Sequence, residues 1–273
     1  MKLSVVIPVH NEEGCIADTV RSLANHLAAA RVDHEILAIN DNSSDRSAEI
    51  LAALAHEMAC LRCHESSPPH GFGLAVRKGL ESYSGDAVAV YMADGSDTPD
   101  DLLRFFEVLQ SRSVDCAFGS RFLRGSRVID YPLHKLLLNR LANAFIRVVF
   151  GLRYNDVTNA FKLYRRCVID GVKPFLSHHF NLTVELPLKA IVRGYSYAVV
   201  PNQWINRKTG VSKLRIQEMG SRYLFIILYC LLERWLSRGD YRRRNPSAAA
   251  AGPVENGSYR VGEDERKRTA AHL

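Results

Sequence analysis

Short apolar runs alternate with amphipathic stretches through the first 120 residues. Leu3–Pro8, Glu35–Asn40, Leu61–His64, Ala87–Met92 and Asp115–Gly119 read as strands. Between them, Ile16–Ala30, Ser47–Ala59, Leu74–Tyr83 and Asp101–Gln110 carry apolar residues at helical spacing. Short apolar runs separated by helices predict a mostly parallel sheet with helices on both faces. Such sheets bind ligands beyond the carboxyl ends of their strands. The polar loops that follow the strands are therefore where chemistry is expected.

The second half has a different texture. Pro132–Phe150 is a helix candidate without an acidic residue; Asn139, Asn143 and Arg147 share one face, and Leu137, Leu141 and Phe145 another. A polar-to-apolar segment (Asp156–Tyr164), a helix near Leu182–Arg193 and a strand near Tyr195–Val200 follow. Then come a basic loop, Asn202–Arg215, and an apolar helix, Ser221–Leu236. From about Arg242 the chain turns to Arg, Ala, Gly, Pro and Glu, which bury too little surface to offset ordering entropy. The expected plan is an α/β domain over 1–215, an apolar helix over 216–240 and a disordered basic tail over 241–273.

Composition narrows this only a little. The 273 residues carry a formal charge of +7, which suits anionic partners such as phosphates or anionic lipid, or a merely solvated basic surface. Most of the six cysteines sit in apolar runs, and Cys60 and Cys63 lack a second pair to complete a zinc site, so they read as structural. A strand begins at Leu3 with no basic and apolar leader before it, which predicts no secretion signal. The longest apolar run, Tyr223–Leu232, would span roughly 15 Å as a helix, about half a bilayer core. A reducing compartment and no membrane span of its own are expected.

Three loops and one helix start could carry chemistry. Asp94 and Asp97 follow the Ala87–Met92 strand and are hard oxygen ligands suited to Mg2+ or Mn2+, whereas Asp100 and Asp101 beside Pro99 favour the start of the next helix. In NDNSSDRS (40–47), Asp41 is available to a base or ribose and Asp45 or Ser47 to capping. GFGLAVRKGL (71–80) opens a helix; its glycines admit a phosphate or serve packing. Arg207, Lys208, Lys213 and Arg215 in the basic loop suit phosphate, or plain solvation.

Read together, SVVIPVHNEE (4–13), INDNSSDRS, GFGLAVRKGL, ADGSDTPDD, FGSRF (118–122), DVTNAFKLYRR (156–166) and RKTGVSK (207–213) resemble glycosyltransferase family 2, in its dolichol-phosphate mannose synthase-like branch. The resemblance implies a GT-A, Rossmann-like fold with amphipathic interfacial helices toward the C-terminus. It also implies a divalent metal, a GDP- or UDP-linked sugar donor and a polyprenyl-phosphate acceptor. By position, Pro8, Asn11 and Glu12 resemble the first nucleotide-binding loop, and Asn40 and Asp41 the family's Asp-Asp pair. Asp94 resembles the central metal acid, and Arg121 the cation near the donor phosphates. Asp156 resembles the acid beside the sugar, and Arg207, Ser212 and Lys213 the phosphate-clamping loop. Two positions depart from the pattern: Asn40 replaces the first Asp of the pair, and Met92 the first acid of the metal motif. Asp97 is the candidate to supply the missing ligand.

The reaction expected is displacement at an anomeric carbon, with Asp94, Asp97, Arg207 and Lys213 stabilising the departing diphosphate. A lipid phosphate needs positioning cations more than a general base, in keeping with scattered histidines. The two apolar helices suit a membrane interface or packing on the core. A soluble hydroxyl acceptor would need a base, with Asp156 or Glu185 as candidates; Glu185 is also a candidate donor contact. A non-catalytic nucleotide-sugar-binding subunit is the alternative that Met92 favours. The basic residues lack interleaved stacking aromatics, so nucleic acid is not an expected partner.

Overall fold

The first strand, β1 (Leu3–Val9), is buried at every position, as a central strand covered on both faces must be. β2 (His34–Asn40) and β3 (Leu61–Glu65) add to it in parallel on one side, and β4 (Ala87–Val90) on the other. The seven-stranded sheet has the order β3-β2-β1-β4-β7-β5-β8, where β5 is Cys116–Ser120, β7 Lys162–Arg165 and β8 Tyr197–Pro201. β6 (Arg127–Ile129) and β9 (Gln203–Ile205) form a separate two-stranded ribbon. The computed structural model describes residues 1–206 and 216–243.

The period-2 alternation of each strand divides the core into two layers. Val5, Ile7, Ile36, Ala38, Ala87 and Ala89 face α1 (Ile16–Ala29), α2 (Ser47–Glu57) and α4 (Pro99–Ser111). Val6, Leu37, Ile39, Val88 and Val90 face the other layer. That layer holds α3 (Phe72–Ser82), α5 (Leu133–Phe150), α6 (Arg166–Gly171), α7 (Leu182–Val192) and α8 (Ile216–Leu236). The glycines of the 71–80 segment serve this packing. A Cβ on Gly79 would meet Val6 Cγ1 at 2.3 Å, and one on Gly73 would meet the His178 and His179 backbone at 2.7 Å.

The sheet departs from the mostly parallel expectation at one strand. β7 runs antiparallel between β4 and β5, with Lys162 opposite both Val90 and Phe118. Its direction brings the segment before it, residues 155–161, to the carboxyl-terminal edge of the sheet. A periodicity argument that looks only after strands misses this placement.

A proline inside α7 explains an unexpected buried charge. Pro187 has no N–H, so the carbonyl of Thr183, four residues earlier, has no helical partner. The Lys162 ammonium, buried at 1% exposure, donates to that carbonyl at 3.1 Å, to Val157 O at 3.0 Å and to Asn159 O. Burial pushes the ammonium down to about 7 despite the nearby Asp156. One lysine thus repairs the break in α7 and fixes the 157–159 turn.

The C-terminal helix is tied down more firmly than an appended interfacial helix requires. Ile226, Ile227 and Cys230 are core residues, and Arg193 on α7's end meets Glu233 through two 2.8 Å bonds. The chain then turns back, and Arg243 bonds Asp115 at 2.6 Å while its N–H donates to Arg193 O. Residues 241–243 therefore belong to the folded body, and the expected tail boundary at 241 moves beyond Arg243.

Lys162→Met should lower unfolding free energy by about 2 kcal/mol, because buried carbonyls lose their donor; urea denaturation measures it, and an unchanged midpoint refutes the bridging role. A chain ending at Arg243 should keep the wild-type thermal midpoint, whereas one ending at Gly239 should melt lower, having lost the Arg243–Asp115 bond. Equal midpoints for the two truncations would show that the turn adds nothing.

Candidate active site

The strand order changes direction at β1: β2 and β3 lie on one side of it and β4 on the other, so a crevice opens between the carboxyl ends of β1 and β4. Pro8 sits there. Val6 O accepts from Tyr91 N on the β4 side, and the β1–β4 register ends at Val6–Val90. Pro8, two residues on, points its N–H-less nitrogen the same way, beyond the ladder, so no sheet bond is lost.

The loops after β1 and β2 are laced together. Ser44 N donates to Asn11 Oδ1 at 2.7 Å, Asn11 N to Ser43 Oγ at 3.0 Å and Glu12 N to Ser47 Oγ at 2.8 Å. Asn11 has φ 53°, a left-handed conformation that asparagine tolerates better than most residues. Asp45 accepts from Ser47 N and Glu13 N, the structural role expected of it. Asp41 reaches the next loop: its carboxylate accepts from Ser66 Oγ at 2.5 Å and Gly71 N at 2.9 Å, with His70 Nδ1 at 3.1 Å. Asn40 donates to Glu65 at 2.7 Å, while its Oδ1 is buried without a partner. An Asn here thus leaves one buried acceptor unpaired at the strand end.

The loop after β4 is shaped around its acids. Thr98 is the cap of α4, accepting from Asp101 N at 3.3 Å, with Pro99 in the first turn. Asp101 is fully buried and accepts from Gln203 N at 2.7 Å, which joins the ribbon to α4. Asp94 is half-buried and turns on itself, its Oδ1 accepting from Ser96 N at 3.1 Å. Asp97 is 4% exposed and reaches back to Met92 N at 3.2 Å, so a carboxylate stands beside the position where Met92 replaces an acid. Burial and then the Asp94 charge push the Asp97 carboxyl up to about 8, with Arg121 opposing. Two carboxylates forced together at a strand end are what a divalent cation relieves. Among the described residues no three His, Cys, Asp or Glu side chains gather as a metal cluster.

Arg121 and Asp156 were expected to meet donor phosphate and sugar separately. They are instead one pair. Arg121 Nε and Nη2 donate to the Asp156 carboxylate at 2.8 and 2.7 Å, and Arg121 N adds a third bond at 2.9 Å. The Asp156 side chain has no exposure and that of Arg121 8%. Burial alone would lower the guanidinium's pKa, but Asp156 raises it above its ordinary value. Asp156 therefore positions Arg121 and has no oxygen disposed to act as a base.

Glu185 is corrected as well. It is fully buried on α7, accepting from Leu176 N and Ser177 N at 2.8 and 2.7 Å and pairing with Lys189 at 2.6 Å. With Lys189, which donates to Pro174 O at 2.6 Å, it anchors the 174–177 segment. Arg207, Ser212 and Lys213 lie outside the described residues. Lys162, Thr19 and Thr158 were not singled out from the sequence. Thr19 Oγ1 supports the acid loop by donating to Ala93 O at 3.0 Å. A lone lysine within the apolar run Phe161–Tyr164 was the available signal for Lys162.

An α/β sheet with paired acids at its switch point offers a ligand site at the carboxyl ends of the strands. Residues 4–172 match the family model of glycosyl transferase family 2, and the chain belongs to that family. A polyprenol monophosphomannose synthase from Mycolicibacterium smegmatis is 31% identical over 220 residues, covering 77% of this chain and 80% of that protein. An undecaprenyl-phosphate mannosyltransferase from Micrococcus luteus is 25% identical over 242 residues, covering 86% and 96%. Glucosyl-3-phosphoglycerate synthase from Mycobacterium tuberculosis, solved with uridine diphosphate, superposes at a TM-score of 0.62 over 85% of this chain and 79% of that one, at 18% identity. Its complex with Mn2+, UDP-glucose and phosphoglyceric acid gives 0.61, with the same coverage and identity. The fold is GT-A and the chain is a glycosyltransferase.

Asp94→Asn keeps the acceptor for Ser96 N and removes the charge. It should fold normally and weaken Mn2+-dependent binding of a nucleoside diphosphate more than about tenfold, read by calorimetry with and without metal. Undiminished metal-dependent binding would remove Asp94 from the metal site.

Proposed function

We propose that this enzyme transfers a hexose, mannose or glucose, with inversion from a GDP- or UDP-linked donor to a polyprenyl phosphate at the cytoplasmic face of the membrane. One observation carries the lipid acceptor. Of the fifteen exposed large hydrophobic residues among those described, twelve lie on α5 and α8. They form stripes: Leu133, Leu137, Leu141, Phe145 and Val148 on α5, and Leu224, Phe225, Leu228, Leu232 and Trp235 on α8. The helices touch, and Arg234 on α8 donates to Phe150 O on α5 at 2.6 Å. Exposed apolar residues gathered in this way mark an interaction surface. α5 has no acid and carries Lys135, Arg140 and Arg147, which suits an anionic lipid surface. No helix among the described residues is long and apolar enough to cross a membrane, so contact with lipid would be peripheral.

The chemistry follows from the crevice. The loops around Pro8–Glu12 and Asn40–Asp41 would hold the nucleoside, with Asn40 Oδ1 accepting from the base. Asp94 and Asp97 would hold Mg2+ or Mn2+, which supplies charge neutralisation to the departing diphosphate. Arg121, fixed by Asp156, is a preorganised cation for a phosphate oxygen. Arg207, Ser212 and Lys213 would add phosphate contacts. A phosphate acceptor is already anionic near neutral pH, so it can attack the anomeric carbon without a base. The hydroxyl-acceptor reading loses support, because Asp156 and Glu185 are both engaged by buried cations.

The test is transfer from a panel of labelled nucleotide-sugars to vesicles holding polyprenyl phosphate, with Mn2+ or chelator. Lipid-extractable label that needs metal is expected; label only in water-soluble products would overturn the acceptor. Flotation with anionic vesicles should be strong for the wild type and lost in Phe225→Asp/Leu228→Asp. Equal flotation of both would return these helices to a packing role.

A further inference from the structure

α5 is turned against the usual rule over its first turns. Four of its five leucines are exposed, while its inward side carries, besides the core residues Ile146 and Phe150, Asn143 at 1% exposure and a half-buried Asn139. A buried asparagine needs partners for its amide. The partners are found on the loop that holds Asp156. Asn143 Oδ1 accepts from Thr158 N at 3.2 Å, and Asn143 Nδ2 donates to Thr158 Oγ1 at 2.9 Å and to Asn139 Oδ1 at 2.6 Å. Thr158 Oγ1 donates in turn to Asn139 Oδ1 at 2.9 Å. Asn139 Nδ2 reaches Tyr131 Oη at 3.3 Å, and the Tyr131 ring centroid lies 5.9 Å from the Arg121 guanidinium carbon. Both halves of the Arg121–Asp156 pair are thus joined to the polar side of α5, Asp156 through Thr158 and Arg121 through Tyr131.

We propose that Asn139, Asn143 and Thr158 are positioning residues that hold the Arg121–Asp156 pair at a set height above the apolar face of α5, matched to a phosphate whose hydrocarbon chain lies against that face. The proposal rests on the lipid-phosphate reading above. Its physical basis is that one rigid helix carries both functions. The outward stripe sets depth in the lipid, and the inward ladder transfers that depth to the guanidinium. An acceptor fixed in a bilayer cannot follow a displaced cation, whereas a dissolved one can. Misplacement by about 1 Å can lower turnover up to a hundredfold.

The experiment uses the full chain and two acceptors: polyprenyl phosphate in vesicles and a water-soluble short-chain prenyl phosphate. Thr158→Val removes the hydroxyl at nearly constant volume, which guards against the unfolding that Asn143→Ala risks. Its kcat on the vesicle acceptor should fall about ten- to a hundredfold, and on the soluble acceptor no more than about threefold, with the KM for donor and vesicle flotation unchanged. Thr158→Ser, which keeps the hydroxyl, should restore most of the vesicle activity. An equal fall on both acceptors overturns the proposal, since the ladder would then only support the site. So does a variant indistinguishable from wild type. Wild-type transfer to neither prenyl phosphate would overturn the lipid reading, and the ladder with it; the first two outcomes remove the ladder alone.

Discussion

A carboxylate with no solvent exposure costs several kcal/mol unless its oxygens are fully hydrogen-bonded. Asp156 meets that condition with three bonds from Arg121 alone, and the surrounding structure is arranged so that it can. β7 runs backwards through an otherwise parallel neighbourhood, which brings residues 155–161 to the strand ends where Arg121 leaves β5. Lys162 then fixes the turn from below through backbone carbonyls. Breaking the pair from either side would leave one buried charge uncompensated, which is the strongly destabilising case. The pair is therefore a structural joint, and in the proposed reaction it would supply a guanidinium already in place.

Around this joint, local sequence rules are broken in compensating pairs. Pro187 breaks the hydrogen-bond ladder of α7, and Lys162 supplies the missing donor. Met92 removes a carboxylate from the acid loop, and Asp97 brings another to its backbone N–H. The asparagine face of α5 is inside and its leucine face outside. Each violation has its compensation, on another element for Pro187 and for the α5 asparagines, and five residues along the same loop for Met92. Violations of this kind gather at functional sites, where the geometry required by chemistry outranks local preference.

Much was legible from the chain alone. Short apolar runs located the strands β1 to β5, and helical spacing the helices between them, within one or two residues. The polar loops after β1, β2 and β4 do converge, because parallel strands deliver their carboxyl ends to one edge. Asp94, Asp97, Asn40 and Asp41 were legible as site candidates for that reason. The three-residue strands β6 and β9 were not, being too short to show a period.

What the sequence determined by itself was the alternation of strand and helix, the edge at which polar loops gather and the acids carried by those loops. All three depend on periodicity and residue type within windows of about ten residues. Tertiary structure alone decided that β7 is reversed and that Asp156 closes on Arg121. It likewise decided that Glu185, whose partner Lys189 lies one helical turn away, is buried against the backbone of Leu176 and Ser177, and that the polar side of α5 faces the protein. Those outcomes depend on which distant groups satisfy a buried charge or amide. Charge pairing and hydrogen bonding across 15 to 35 residues of chain leave no periodic mark.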